Sequence, residues 1–258
     1  MKHLFEKNNC VIIGNVWDPM SALIHEKQGF TVLGTTSWGI ANTLGYVDGE
    51  KIKFPQLVGV IKNILKVITV PLSVDIESGY SSDHSIIVNN ILTLADIGCS
   101  GVNIEDSLPG KGLKNKHEFS ALVRAIKEKL LNEGYHDFCL NVRIDTYLNL
   151  EQPLNETIER ATAYQAAGAD GVFVPGLQNT GEIKTLLSHI SVPLNLMSLP
   201  SLTNIAELAA IGVRRFSYGN AMSDAVIAYI EKLAADILST SSTTSLYTHS
   251  EIKTEFHQ

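Results

Sequence analysis

Two carboxylates, Asp75 and Glu77, end a short apolar run within the segment VPLSVDIESGY, residues 70–80. Leu72 and Val74 alternate with polar residues, which is typical of a strand. Side chains two residues apart on a strand share a face, so Asp75 and Glu77 are predicted to converge. At a separation of ~6 Å and an effective dielectric constant near 20, their repulsion is roughly 3 kcal/mol. A shared proton, a basic partner or a divalent cation must compensate, and Mg²⁺ suits such oxygen ligands.

An isolated pair of this kind is more often a solvated strand end without a ligand, so the rest of the chain decides between the two interpretations. At 258 residues with 45% hydrophobic content, the chain is long enough for one large globular domain. A net charge of −7 without any basic stripe argues against nucleic-acid binding. No run of about 20 apolar residues is present, so we expect no contact with a membrane.

Compartment is suggested by the N-terminus and by the cysteines. The first ten residues, MKHLFEKNNC, carry charges where a signal peptide needs an apolar stretch. Cys10, Cys99 and Cys139 are scattered, with no CxxC spacing. They are typical of reduced thiols, and we predict a cytoplasmic protein.

A local phrase that recurs along the chain predicts the fold. The segments LADIGCSGV (94–102), QAAGADGV (165–172) and LAAIGVRRF (208–216) each run from a helix end through glycine into an apolar strand. This alternation implies parallel strands joined by crossover helices. Eight strands are predicted: Cys10–Val16, Thr31–Thr36, Leu72–Glu77, Gly101–Glu105, Phe138–Asp145, Gly171–Pro175, Pro193–Met197 and Arg214–Ser217.

The intervening helices, such as Phe54–Ile68 and Phe119–Leu131, have apolar residues at helical spacing. Eight βα units in about 235 residues are the size of a (β/α)₈ barrel, a fold of the α/β class. An open doubly wound sheet is the alternative, but the turn after the first predicted strand lacks the GxGxxG pattern. We predict a barrel domain over residues 1–238 and a polar, Ser/Thr-rich tail without chemistry over 239–258.

Polar side chains collect at the ends of the predicted strands, where a (β/α)₈ barrel has its active site. These residues are Thr35, Thr36, Ser37, Trp38, Asp75, Glu77, Glu105, Asp106, Arg143, Asp145 and Asn195. They would suit an anionic substrate held by an arginine and by a metal on carboxylates. Asp145 is predicted to orient Arg143, and Asp106 is interpreted as a helix or loop cap.

Six phrases of the sequence resemble the isocitrate lyase/phosphoenolpyruvate mutase superfamily. They are NVWDP (15–19), GTTSWGIANTLGYVD (34–48), VDIESGY (74–80), VNIEDS (102–107), NVRIDTY (141–147) and AAGADGVFVPGL (166–177). Each alone is a weak signal, but together they occur in family order over nearly the whole predicted barrel. The resemblance implies a (β/α)₈ enzyme that uses Mg²⁺, or Mn²⁺ in its place, on a small anionic substrate.

The resemblance also implies a metal site. It assigns Asp75 as the direct metal ligand, whereas Glu77 and Glu105 act through metal-bound water. Asp48 matches an acid that lies beside the metal in the superfamily and is a candidate catalytic residue.

Substrate binding is implied in the same way. Thr36, Ser37 and Trp38 match the segment whose hydroxyl and backbone N–H groups hold the substrate carboxylate. Arg143 matches an arginine that contacts the anionic substrate, and we count it as catalytic as well. Asn195 matches a substrate-contacting asparagine of the lyase branch.

Two departures from the superfamily pattern narrow the range of reactions expected of this chain. The loop LPGKGLKNK (108–116) lacks the KKCGH phrase of isocitrate lyases, and Pro175-Gly176 stand where those lyases have a glutamate. Isocitrate lyase activity is therefore not expected. Lys111 matches a loop lysine of relatives and is predicted to be catalytic, in a loop that closes over the substrate.

The primary hypothesis is a Mg²⁺-dependent lyase or decarboxylase that breaks a carbon–carbon bond of a small 2-oxo or 2-hydroxy acid through a metal-stabilised enolate. One alternative is phosphoenolpyruvate mutase-like or phosphonopyruvate-hydrolysing chemistry at a P–C bond. Another is a non-catalytic barrel that binds a 2-oxo acid.

Self-association is predicted as well. The last helix, predicted over Ala221–Leu238, has a broad apolar face. Members of the superfamily exchange this helix between subunits, so the resemblance implies a homo-oligomer, either a tetramer or a dimer.

Overall fold

The computed structural model describes residues 1–5, 10–108, 110, 112–252 and 254–256. Its strands are β1 (Val11–Val16), β2 (Leu33–Thr35), β3 (Leu72–Asp75), β4 (Gly101–Glu105), β5 (Ser107–Leu108), β6 (Gly112–Leu113), β7 (Cys139–Arg143), β8 (Gly171–Phe173), β9 (Leu194–Met197) and β10 (Arg215–Ser217). Eight of them close into a parallel barrel in the order β1-β10-β9-β8-β7-β4-β3-β2. The predicted (β/α)₈ fold is confirmed, with most strands shorter than predicted by one or two residues at an end.

The segments between the strands form helices. Their bounds are α1 (Pro19–Lys27), α2 (Ser37–Thr43), α3 (Phe54–Leu65), α4 (His84–Asp96), α5 (Lys116–Asn132), α6 (Thr146–Asn149), α7 (Leu154–Ala166), α8 (Thr180–Leu187), α9 (Ile205–Ala210) and α10 (Ala221–Thr240). Side-chain caps fix several helix starts. At α1, for example, the Ser21 amide donates to Asp18 Oδ1 at 2.7 Å and Pro19 occupies the first turn. Within the described ranges, no helix has the length and apolar character needed to cross a bilayer.

The hydrophobic core lies between the barrel and the surrounding helices. Val74, Val102, Val142 and Val172, on neighbouring strands, are each fully buried and belong to one cluster with helix residues such as Ile61. β-branched residues suit this layer because both faces of a parallel sheet are covered. The core fixes the strands rigidly, so the side chains at their carboxyl ends are held in place.

The middle of the barrel interior is polar. The Arg215 guanidinium is 3% exposed, and its Nη2 donates to Ser73 Oγ at 3.2 Å across the barrel. Asn141 Nδ2 donates to Asn103 Oδ1 at 2.6 Å in the same layer. Bulky branched residues usually fill the interior of this fold. Here a polar layer forms the floor on which the strand-end residues rest.

The N-terminal segment covers the opposite end of the barrel. The Phe5 ring is 4% exposed and lies 5.2 Å from Arg215 Cζ. Met1 packs in the same small cluster, and Lys2 Nζ lies 3.0 Å from Asp170 Oδ1. The described residues of this segment thus pack over the end of the barrel opposite to the cavity that opens at the carboxyl ends of the strands.

Two segments outside the barrel correspond to the loop and the last helix that were predicted from the sequence. β5 and β6 pair antiparallel within the predicted loop, with Ser107 opposite Leu113. Helix α10 ends at Thr240, two residues beyond the predicted barrel boundary, and a 3₁₀ turn follows at Thr244–Tyr247.

Candidate active site

A cavity of about 220 Å³ opens at the carboxyl ends of the barrel strands. It is lined by Asn15, Thr35, Thr36, Ser37, Trp38, Asp48, Asp75, Asn103, Arg143, Leu148, Phe173, Pro175, Met197, Ser217, Gly219 and Asn220. A second, more open cavity of about 460 Å³ adjoins it and adds Glu77, Glu105 and Asp145. Pockets for drug-sized ligands measure roughly 300–1,000 Å³, so the inner cavity suits a small molecule.

Asp75, the last residue of β3, lines the inner cavity. Its amide donates to Thr35 Oγ1 at 2.8 Å, which joins the ends of β3 and β2. Burial raises the pKa of the Asp75 carboxyl, whereas the nearby charge of Arg143 opposes that shift. The carboxylate therefore lies where an added positive charge would stabilise it.

Glu77 lies beyond the strand rather than on it, so the predicted strand pair of Asp75 and Glu77 is wrong in its geometry. Strand β3 ends at Asp75, and Glu77 has a left-handed φ of 50°. The Glu50 amide donates to Glu77 Oε2 at 2.9 Å, and the Tyr80 hydroxyl donates to Oε1 at 3.2 Å. These donors hold a non-glycine residue in a conformation that is rare for its type. Burial, followed by the charges of Asp75 and Asp48, raises the pKa of Glu77 to about 8.

Glu105, at the end of β4, faces Arg143 at the end of β7. Arg143 Nη1 lies 3.0 Å from Glu105 Oε2, and its Nε donates to Asp145 Oδ1 at 2.6 Å. Asp145 thus fixes the guanidinium plane, as the sequence predicted for this pair. Burial raises the pKa of Glu105 to about 7, although Arg143 opposes the shift. Burial alone would lower the pKa of Arg143, but the surrounding carboxylates raise it, so the guanidinium stays charged.

Asp48 belongs to both cavities, because it reaches the site from the segment after α2. Its Oδ1 is buried and accepts no hydrogen bond from the described residues. A buried carboxylate oxygen normally has a partner, so this atom indicates a group that binds between Asp48 and its neighbours.

The acidic cluster of Asp48, Asp75, Glu77 and Glu105 has the chemistry of a site for a hydrated divalent cation. Among the residues that the structure describes, no three acidic, histidine or cysteine side chains meet closely enough to hold a metal by themselves. Mg²⁺, however, usually takes one or two carboxylates and keeps several waters. The unpartnered oxygen of Asp48 and the raised pKa values of the other three acids fit such a cation.

The predicted substrate segment begins at Thr36, which is the N-cap of α2. Thr36 Oγ1 accepts from the Gly39 amide at 3.4 Å, and Ser37 is the first helical residue. Trp38 follows on the cavity wall, where its indole N–H donates to Asp224 Oδ1 at 2.8 Å. The structure therefore brings these three residues together with Asp75 and Arg143 at one cavity.

Asn195 is not among the residues that line either cavity. It is 1% exposed in the interior of β9, where its Nδ2 donates to the Leu196 carbonyl and to Ser217 Oγ. Met197 lines the cavity two residues later. The contact of Asn195 with a substrate stays a prediction, and Lys111 lies outside the described residues.

One wall of the cavity is apolar and was not anticipated. It consists of Leu148, Phe173, Pro175 and Met197, which come from β8, β9 and the segments after β7 and β8. Acids and amides line the side formed by β1 to β4. The departure Pro175-Gly176 in the sequence was the signal for this wall, since it removes an acid from the end of β8.

Lys114 and Asp106 are two further residues whose roles the sequence did not show. Lys114 Nζ donates to the carbonyls of Ser78 and Glu105 at 3.0 and 3.2 Å, and so joins the two acid-bearing segments. Asp106 accepts the Asp145 amide at Oδ1 (2.9 Å), as a loop cap does, but it is also fully buried, and its Oδ2 lies 2.9 Å from Arg160 Nη1. An ion pair between residues 54 positions apart has no local sequence pattern.

Comparison with known proteins gives consistent findings. The model of the family described as phosphoenolpyruvate phosphomutase matches residues 1–238. An uncharacterized protein of Mycobacterium tuberculosis (strain ATCC 25618 / H37Rv) is 36% identical over 81% of this chain and 77% of its own length. Oxaloacetate decarboxylase 1 of Pseudomonas fluorescens (strain Pf0-1) is 28% identical over 83% of this chain and 75% of its own length.

Among solved structures, the chain is similar to phosphonopyruvate hydrolase in complex with oxalate and Mg²⁺. The TM-score is 0.86 and the sequence identity 20%, over 98% of this chain and 90% of that chain. At this identity, the likeness shows the fold alone.

Proposed function

Because the chain belongs to the phosphoenolpyruvate phosphomutase family, we propose that it cleaves a carbon–carbon bond of a small 2-oxo acid with the help of Mg²⁺. The reaction proposed is decarboxylation of a 3-carboxy-2-oxo acid such as oxaloacetate. The observation that carries the proposal is that Asp48, Asp75 and Arg143 line one cavity of about 220 Å³, while Glu105 pairs with Arg143 at 3.0 Å. Relatives named oxaloacetate decarboxylase and a structural neighbour that holds Mg²⁺ support it.

The residues of this chain would divide the work as follows. Asp75 would hold the cation, and Asp48, Glu77 and Glu105 would hold its waters. A bound Mg²⁺ supplies Lewis acidity at the oxo oxygen of the substrate. The Arg143 guanidinium, oriented by Asp145 at 2.6 Å, offers charge-assisted donors to a substrate carboxylate.

The apolar wall favours decarboxylation over reactions that need a base at that position. Leu148, Phe173 and Met197 carry no acid or base. Loss of CO₂ requires no proton abstraction at the start, and it converts a charged carboxylate into a neutral molecule. An apolar surface disfavours the charged group and tolerates the neutral product. This wall therefore suits the substrate carboxylate that leaves as CO₂.

A turnover assay with matched variants tests the proposal. Pyruvate release from oxaloacetate is measured with Mg²⁺ and with EDTA, and corrected for the metal-catalysed reaction without protein. Asp75→Asn removes one charge at nearly constant volume and is expected to lower kcat/KM by at least about 10²-fold. Asp137→Asn is the control, because Asp137 is exposed near the start of β7, at the other end of the barrel.

The alternative functions are distinguished by the same assay with other substrates and by a binding measurement. Release of phosphate or phosphoenolpyruvate from phosphonopyruvate, with no turnover of oxaloacetate, would assign the chain to P–C bond chemistry. Saturable binding of oxalate with Mg²⁺, without turnover of any 2-oxo acid, would favour a barrel that only binds. Equal turnover by Asp75→Asn and the unmodified protein would contradict the assigned site.

We also propose a homo-oligomer built on α10. This helix exposes apolar residues along its length, among them Met222, Ile227, Tyr229 and Ile230, the last 60% exposed. Contiguous exposed apolar surface of this kind is typical of protein–protein contacts. Light scattering should give a mass of two or four times 28.1 kDa, and Ile230→Asp should lower it. A 28.1 kDa particle from the unmodified protein at micromolar concentration would contradict the assembly.

The cytoplasm is the proposed compartment. Cys10 is half-buried and Cys99 and Cys139 are buried, and all three are free thiols. Free cysteines without a disulfide are usual in a reducing compartment. Fractionation of cells that express the chain would test this assignment.

A further inference from the structure

Trp38 is held by a contact that the proposed reaction does not require. It is the second residue of α2, directly after Ser37, and both line the inner cavity. The side chain is 40% exposed, so packing alone does not fix the ring. Its indole N–H donates to Asp224 Oδ1 at 2.8 Å, and Asp224 lies 186 positions later in the first turn of α10. This bond therefore adds a directional constraint to a ring that is partly open to solvent.

Asp224 is itself fixed by its surroundings. Asn220 Nδ2 donates to Asp224 Oδ2 at 2.5 Å, so both carboxylate oxygens have a donor. Asn220 and Gly219 line the cavity. The turn that contains them is tied to β1, because Asn15 Oδ1 accepts from the amides of Tyr218 and Gly219 at 2.9 Å each. The end of β1, the start of α10 and the start of α2 thus form one hydrogen-bonded wall.

We propose that Asp224 is a positioning residue, which fixes Trp38 and, through it, the Thr36–Trp38 segment against the substrate. A carboxylate acceptor makes this bond stronger than one between neutral groups. Loss of the bond frees an exposed aromatic ring directly next to Ser37. The first turn of α10 therefore belongs to the substrate-binding wall and does more than close the barrel.

The inference rests on the proposed function for its kinetic and oxalate-binding readouts, whereas acrylamide quenching does not depend on it. Trp17 and Trp38 are the two tryptophans of the chain, and Trp17 is 8% exposed. In a Trp17→Phe background, fluorescence therefore comes from Trp38 alone. Quenching by acrylamide measures the freedom of the ring, and titration with oxalate plus Mg²⁺ measures ligand binding without turnover.

Asp224→Ala is expected to increase acrylamide quenching and to weaken oxalate binding about tenfold, which matches the strength of a hydrogen bond to a charged group. KM should rise to a similar extent, with kcat changed less than about twofold. Asp224→Asn keeps one oxygen acceptor, which can serve Trp38 or Asn220 but not both, so its affinity should lie between those of the parent and Asp224→Ala. Glu128→Ala, a change at an exposed residue of α5 outside both cavities, is the control and should behave as the parent does.

A double-mutant cycle separates positioning from a general structural effect. Trp38→Phe alone should weaken oxalate binding, measured by calorimetry, as much as Asp224→Ala does. If Asp224 acts through Trp38, Asp224→Ala adds nothing in the Trp38→Phe protein. Additive losses, or unchanged quenching and affinity in Asp224→Ala, would overturn the inference. Absence of turnover with every 2-oxo acid would overturn the proposed function instead. The quenching measurement would then still test whether Asp224 fixes the Trp38 ring.

Discussion

Mg²⁺ binding is expected to strengthen steeply as the pH rises, because the acidic cluster must lose protons to hold the cation. In the metal-free protein, the pKa of Glu77 is about 8 and that of Glu105 is about 7. From these values, both carboxyls are ionised in roughly one molecule in a thousand at about pH 6 and in roughly three quarters at about pH 8.5. The charge of Glu105 also contributes to the raised pKa of Glu77, and we expect the Mg²⁺ affinity to increase by about 10²- to 10³-fold over this range.

Calorimetry tests this expectation directly. Titrations in two buffers with different ionisation enthalpies count the protons released when Mg²⁺ binds. About two protons should be released near pH 6, and less than about one near pH 8.5, since the carboxyls are then already ionised. Glu77→Gln removes one titrating group and should reduce the count near pH 6 to about one. A Mg²⁺ affinity that does not change with pH, with no protons released, would refute the reasoning.

The same pKa shift has a consequence for stability. The pKa of Glu77 is raised above its value in the unfolded chain, so the folded state binds the additional proton. The stabilisation is fully present below about pH 4.5 and is lost as the pH rises through about 8. A shift of this size corresponds to roughly 5 kcal/mol at most. Urea unfolding in EDTA should show falling stability across this range, and saturating Mg²⁺ should remove the trend.

Three further variants give separate tests. Arg143→Gln leaves Glu105 and Asp145 without their cation and is expected to lower kcat/KM by about 10²-fold; an unchanged kcat/KM would remove Arg143 from substrate binding. Asp106→Ala removes the fully buried carboxylate that pairs with Arg160 and leaves the more exposed Glu156 as its ion-pair partner, so it should reduce the free energy of unfolding in urea by about 2–4 kcal/mol; a loss below about 1 kcal/mol would contradict this role. Lys111→Ala is expected to lower kcat more than it weakens Mg²⁺ binding, whereas an effect on KM that fades at high salt would mean that Lys111 only attracts anions.

The fold followed from the sequence because its signals are local. Glycine after an apolar helix, as in LADIGCSGV, ends one element and begins the next within a few residues. Together with eight predicted strands that alternate with helices, that pattern leaves a closed barrel as the arrangement that buries every strand. The ends of strands were less well predicted. Period-two alternation continues past Asp75 in the sequence, yet the Glu50 amide and the Tyr80 hydroxyl draw Glu77 into a turn.

The sequence predicted those site residues that lie at the carboxyl ends of barrel strands. Asp75, Glu105 and Arg143 could be placed near one another because parallel strands end at the same side of a barrel. The orientation of Arg143 by Asp145 also followed, since the two residues are close in sequence. Contacts between distant segments could not be predicted. Lys114 bonded to two carbonyls and Asp224 bonded to Trp38 depend on how loops fold back, which no local pattern encodes.

The most direct test of the proposed chemistry is pyruvate release from oxaloacetate by the purified chain with and without Mg²⁺. The account predicts saturable, protein-dependent release that EDTA abolishes, that Mg²⁺ or Mn²⁺ restores, and that Asp75→Asn lowers by at least about 10²-fold. Release that equals the rate without protein, or that persists in EDTA, would contradict a metal-dependent decarboxylase at this site.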